Sequence, residues 1–165
     1  MPITPLHGLA FMFLYFKDKR RIDPLALTVS ATFIDLEPLY YFIIGDPLDH
    51  KIWHSFAFSI TVYPILITFG VYMVEHFFKE RLLSAYNAIR LKPNQVRYPI
   101  LTIYFCSFVG GLSHIFFDMF THEKMPYVIY PLTYGNPFYI GTASITVDLA
   151  VILLAIYSAL RWLKK

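Results

Sequence analysis

Tyr98-Pro-Ile-Leu-Thr-Ile-Tyr-Phe-Cys-Ser-Phe-Val-Gly-Gly-Leu-Ser-His-Ile-Phe-Phe-Asp-Met-Phe-Thr121 decides the fold. The stretch carries no formal charge before Asp118, and it is long enough to cross a bilayer core of roughly 30 Å, which takes ~20 helical residues. Within it His114 and Asp118 stand four residues apart, on one face of a helix with about 3.6 residues per turn. A charged group at membrane depth costs from roughly 2.5 kcal/mol upward, so such a pair binds a partner, coordinates an ion or lines a wet cavity.

The rest of the chain has the same character. Of 165 residues, 57% are apolar, 19% aromatic and only 15% charged, which points to a bilayer as solvent. Length allows a single domain, residues 1–165. A net charge of +3 with no dense basic run excludes nucleic acid as a partner. The single Cys106 excludes an intrachain disulfide and a CxxC-type zinc ribbon. Met1-Pro-Ile-Thr-Pro-Leu-His-Gly lacks a basic secretory leader, so residue 1 is expected to begin the mature protein.

Working outward, the pattern predicts an all-α integral membrane protein with four transmembrane helices plus one short, half-inserted N-terminal helix. Leu6 to Phe16 is the short one, closed by Lys17-Asp18-Lys19-Arg20-Arg21. Asp23 is an N-cap and Pro24 a first-turn residue for a span from Leu25 to Ile44. A turn at Gly45 to Asp49 leads into a long helix from about His50 to about Arg81. Lys79 to Arg97 forms a basic connection, broken at Pro93-Asn94. Tyr98 to Phe120 is the third span and Gly141 to Trp162 the fourth, with a Pro- and Gly-bearing loop between them. Twelve of the fourteen Lys and Arg then fall on one side, leaving Lys51 and Lys124 opposite. By the positive-inside rule the protein is a multi-pass inner or plasma membrane protein with a cytoplasmic C-terminus.

The same map places His7, His50, His54, His114 and His122, five of the six histidines, at one level near the outer face, with Asp35, Glu37 and Asp118. His50 and His54, on a predicted helix, have the i, i+4 spacing of zinc helices. Asp35 and Glu37 lie about 200° apart on a regular helix, and Pro38 is expected to relax that constraint by disfavouring the α conformation at Glu37. Imidazoles and carboxylates without thiolates suit zinc, one ion or more, with manganese or iron fitting the same ligand types. The expected metal ligands are His7, Asp35, His50, His54, His114 and Asp118. Glu37 or Asp35 is the expected base. Ser113, Thr121, His122 and Asp148 are expected around the ligands or the substrate, as are Tyr134 and Asn136. Glu75-His76 is expected to mark the cytoplasmic interface.

Taken together, His7, Asp35/Glu37, His50/His54/Ser55, Gly111-Ser113-His114-Asp118-Thr121 and Pro131-Leu132 resemble the membrane-bound metal-dependent hydrolases of the LexA-binding inner-membrane-associated type. That family's Pro-Asp-x-Asp appears here as Ile34-Asp35-Leu36-Glu37. More distantly, His-x3-Asp with an upstream Asp and His is similar to zinc-dependent phospholipase C and the nucleases related to it. The resemblance implies hydrolase activity, and its distant arm implies phosphoester chemistry. The expected function is therefore hydrolysis of a lipid or other amphiphilic ester, membrane lipid being both solvent and substrate. Oligomers are compatible with the sequence. The rival expectation is a metal-ion or proton transport protein using the same ligands as a transit site. A weaker third is a scaffold that binds a partner through residues 79–97.

Overall fold

The computed structural model describes residues 4–47 and 50–164; Met1 to Ile3, Lys165, and the Leu48-Asp49 part of the expected turn lie outside the described residues. Every regular element among the described residues is helical. They run as α1 (Thr4–Ala10), α2 (Met12–Lys17), α3 (Pro24–Phe33), α4 (Leu36–Ile43), a 3-10 turn (Ile52–His54), α5 (Phe56–Ile60), α6 (Val62–Phe77), α7 (Lys79–Ala88), α8 (Ile100–Thr121) and α9 (Ala143–Leu163).

The central element is α8. It packs against α3, α5 and α6, while α9 lies chiefly along α1 and α2. Adjacent glycines let α8 fit between two neighbours. A Cβ at Gly110 would lie 1.9 Å from Ser30 Oγ and 2.7 Å from the Leu27 carbonyl of α3, and one at Gly111 would meet the Tyr63 ring of α6 at 2.8 Å. Tyr63 completes the junction by donating its hydroxyl hydrogen to the Ser30 carbonyl at 2.7 Å.

With 22 and 21 residues, α8 and α9 are long and apolar enough to cross a membrane. At about 1.5 Å per residue each reaches the roughly 30 Å of a hydrocarbon core. Large apolar side chains also face outward, among them Phe42, Phe69, Leu101 and Ile145.

The other two expected spans are broken. The Leu25 to Ile44 segment divides into α3 and α4 at Ile34 and Asp35, and Thr61 separates α5 from α6. In both cases a proline stands third in the restarting helix, Pro38 in α4 and Pro64 in α6. With no N–H it cannot bond the carbonyl four residues back, so the ladder fails just upstream. Pro38 thus leaves Glu37 helical, contrary to expectation, and moves the break to residues 34 and 35. The predicted helix from His50 to Arg81 is likewise not continuous: its first residues form a loop and the 3-10 turn, and α6 ends at Phe77. The expected short helix from Leu6 to Phe16 also divides, into α1 and α2 at Phe11; other expected boundaries hold. Asp23 Oδ1 accepts the Leu25 N–H at 2.8 Å at the start of α3, and α7 stops well before Pro93.

Candidate metal centre

A helical turn sets His114 and Asp118 on the face of α8 that meets the α3–α4 break. His114 Nδ1 is 2.8 Å from the Ala31 carbonyl oxygen. That oxygen can only accept, so Nδ1 carries a hydrogen, and Nε2 lies 3.1 Å from Asp35 Oδ1 and 2.9 Å from Asp118 Oδ2. His54 enters from the 3-10 turn in the same manner. Its Nδ1 is 2.9 Å from Glu37 Oε2, and its Nε2 is 3.5 Å from Asp35 Oδ1 and 3.9 Å from Asp118 Oδ2.

These four residues each offer a ligand atom within 4.8 Å of the others, and His54, His114 and Asp118 are fully buried. Two ligands bound tetrahedrally at 2.0–2.1 Å lie about 3.3 Å apart, close to the middle of the four separations above. Both Nε2 atoms are buried without a hydrogen-bond partner. Each lies beside carboxylate oxygens, and two carboxylates gathered in a low dielectric require positive charge among them, which a bound cation or protonated imidazoles supply. The donor set, two imidazoles and two carboxylates, fits zinc and also manganese or iron.

Asp118 also belongs to a second group, with His50 and His122. Its Oδ2 faces His54 and His114, while its Oδ1, buried and without a hydrogen-bond partner, lies 3.9 Å from His122 Nδ1. The rings of His50 and His122 have centroids 4.6 Å apart, as do those of His50 and His54. One carboxylate therefore has an oxygen on each side of a two-part cluster.

Five histidines converge as the sequence predicts, and His76 stands apart against Tyr72 and Phe77. His7 is buried at 1% exposure with neither ring nitrogen bonded, its ring 4.5 Å from that of His114. It lies beside the first group rather than within it. His50 and His54 do come together, but through a loop and a 3-10 turn rather than along one face of an α-helix. The reason is Glu37, whose carboxylate accepts the backbone N–H of Lys51, Trp53 and His54 at 3.0, 2.9 and 3.3 Å as well as bonding the His54 ring. Saturated with donors, Glu37 orients a ligand.

The remaining expected residues divide. Thr121 Oγ1 is 2.7 Å from His122 Nδ1 and so touches the cluster. Ser113 turns back onto the Gly110 carbonyl of its own helix. Asp148 Oδ1 is buried with no hydrogen-bond partner among the described residues and orients no histidine. Tyr134 is exposed. Asn136 matters more than its loop position suggests: Nδ2 donates to the carbonyls of Met119 and His122, both at 2.7 Å, tying the loop after α8 over the helix end. One contact had no precursor in the sequence, the Ala31 carbonyl that accepts from His114 Nδ1; His122, expected around the ligands, stands in the second group itself.

A family profile described as a domain of unknown function, DUF4184, matches residues 1–133. The chain belongs to the DUF4184 family. The DUF4184 region contains both ligand groups and excludes α9. No curated protein and no solved structure matches the chain.

Proposed function

We propose that this DUF4184 chain is a membrane-embedded, metal-dependent hydrolase acting on a lipid or other amphiphilic ester, with phosphoesters favoured. The observation that carries this reading is the pair of buried Nε2 atoms of His54 and His114, without hydrogen-bond partners among the described residues and gathered with the Asp35 and Asp118 carboxylates within 4.8 Å of one another. A catalytic zinc site uses such a thiolate-free donor set, whereas structural sites are rich in Cys. The ester chemistry comes from the motif resemblance and from where the cluster sits, at the end of the apolar helix α8.

Within this reading His54, His114, Asp35 and Asp118 hold the first ion, and Asp118 shares its second oxygen with His50 and His122. A bound zinc ion supplies Lewis acidity, bringing the pKa of water toward about 7 and drawing charge from a phosphoryl oxygen. Asp35 is the proton acceptor, because its side chain is the most open of the four at 12% exposure. Glu37 and the Ala31 carbonyl orient the two imidazoles from behind. We also infer that α3–α4 and α5–α6 cross the membrane as broken spans, giving four passes, with the C-terminus cytoplasmic and the cluster near the outer face. Labelling of single cysteines at Lys51 and Arg161 with a membrane-impermeant reagent tests that topology, the first position being expected to react from outside and the second only after permeabilisation.

The function is tested by metal analysis of purified protein together with a panel of phospholipid, phosphomonoester and carboxylic-ester substrates, comparing wild type with His114→Ala and Asp118→Ala. Bound metal and turnover in the wild type, both lost in the variants, is the expected result. Metal without turnover on any substrate class would remove the hydrolase reading. It would favour a transit site, a reading with one observation of its own: a second buried acidic pair, Asp23 and Glu75, further along the bundle. Metal-loaded proteoliposomes that show ion flux but no hydrolysis would decide for it.

A further inference from the structure

Asp23 and Glu75 belong to neither ligand group. Asp23 caps α3 and Glu75 sits in the last turn of α6, and they are 0% and 2% exposed. Each carboxyl uses one oxygen on a backbone donor: Asp23 Oδ1 takes the Leu25 N–H at 2.8 Å and Glu75 Oε2 takes the Tyr98 N–H at 2.9 Å. The two oxygens left over, Asp23 Oδ2 and Glu75 Oε1, are buried with no donor, yet the carboxyl groups are within hydrogen-bonding reach of each other.

Among the described residues no cation pairs with either carboxyl. From α2 and α7 the hydroxyls of Tyr15 and Tyr86 reach this region, both buried and without a hydrogen-bond partner. Tyr98 donates to the Lys19 carbonyl, and from α8 Cys106 Sγ accepts the Asp23 N–H at 3.3 Å. The nearest cations are engaged elsewhere: Arg97 donates to the carbonyls of Glu75 and His76, and Lys19 to the carbonyl of Lys92. Two carboxylates that close cannot both be ionised in an apolar surrounding without a cation.

We propose that Asp23 and Glu75 form a one-proton site, a single hydrogen held between Asp23 Oδ2 and Glu75 Oε1, at a position on the bundle separate from the histidine cluster. From Cys106, which contacts Asp23, to His114 is about 12 Å along α8 at about 1.5 Å per residue. Burial pushes the Asp23 carboxyl up to about 6, in the same sense. The pair titrates as a unit, so its proton belongs to neither residue alone.

Infrared spectroscopy of the purified protein in lipid, titrated through neutral pH, tests this through the C=O stretch of a protonated carboxylic acid, which ionised carboxylates lack. At pH 7 the wild type is expected to show that band, and Glu75→Gln and Asp23→Asn to lose it, since each leaves one carboxylate bonded to an amide. Glu80→Gln, a change at an exposed acid on α7, is expected to keep it. Should either variant fail to fold, wild type labelled with 13C at the Glu or Asp side-chain carboxyl serves instead, and the band is expected to shift with either label. No band at pH 7, a band that survives both replacements, or one that neither label shifts would overturn the proposal. So would a cation retained in stoichiometric amount through chelation and released by either replacement, because the pair would then hold that ion in place of the proton.

Discussion

In the proposed metal centre much rests on Glu37, a residue outside the ligand set. It holds the ring of His54 and the N–H groups of Lys51, Trp53 and His54 at once. Glu37→Gln keeps the shape but loses the charge that fixes the His54 tautomer, so zinc affinity is expected to fall by about 10- to 100-fold with the fold retained. Competition titration with a chromogenic chelator measures it. Glu37→Ala also strands buried donors at about 1–3 kcal/mol each, and a clear drop in the thermal midpoint is expected in addition. The sequence put Asp35 and not Glu37 among the expected ligands, as the grouping has it, but carried no sign that Glu37 holds the His54 loop. Which carboxylate faces the ion depends on the break at residues 34 and 35, and the proline causing that break lies downstream of it.

At the scale of elements, the junctions of α8 are the sensitive places. Gly110→Ala puts a methyl group where Ser30 Oγ now lies, and overpacking of this kind costs about 1–3 kcal/mol. The expected outcome is a lower midpoint in thermal or denaturant unfolding, partly restored by Ser30→Gly in the same chain. At the far end of α8, Asn136→Ala frees the carbonyls of Met119 and His122. Faster hydrogen exchange in residues 119–140 is expected, with weaker metal binding through His122 and little change in global stability. The helical class, the cap at Asp23 and the central span were readable because each rests on local pattern: an uncharged run, an Asp-Pro start, a basic stop. The loop geometry at residues 50–55 was not, because His50 and His54 have helical spacing and only the distant carboxylate of Glu37 pulls their backbone out of the helix. The meeting of Asp23 with Glu75 was equally invisible, since it depends on how the α2–α3 corner packs against the end of α6.

For the molecule as a whole, an ion that binds the folded state and not the unfolded one stabilises it by mass action, about 2.7 kcal/mol at a hundredfold excess over Kd. A chelator is therefore expected to lower the midpoint of the wild type and to leave His114→Ala and Asp118→Ala unmoved, as differential scanning fluorimetry in detergent would show. Acid acts in the same direction. Imidazole must be neutral to ligate, so bound metal is expected to fall as pH drops below the ordinary histidine value of about 6.5, with stability falling alongside it. Convergence of five histidines on one region was legible at this scale, because charge asymmetry between loops assigned each segment end to a side. The breaks within the first two expected spans were not, because broken helices carry the same composition as whole ones. The adjacent glycines of α8 have a last consequence for traffic into the cluster. Gly110 abuts α3 and Gly111 abuts α6, so a swivel of the central helix in either sense meets a neighbour about one turn below the ligands. If the cluster works as proposed, access to it is then expected through movement of α4 or the 121–140 loop around a stationary axle.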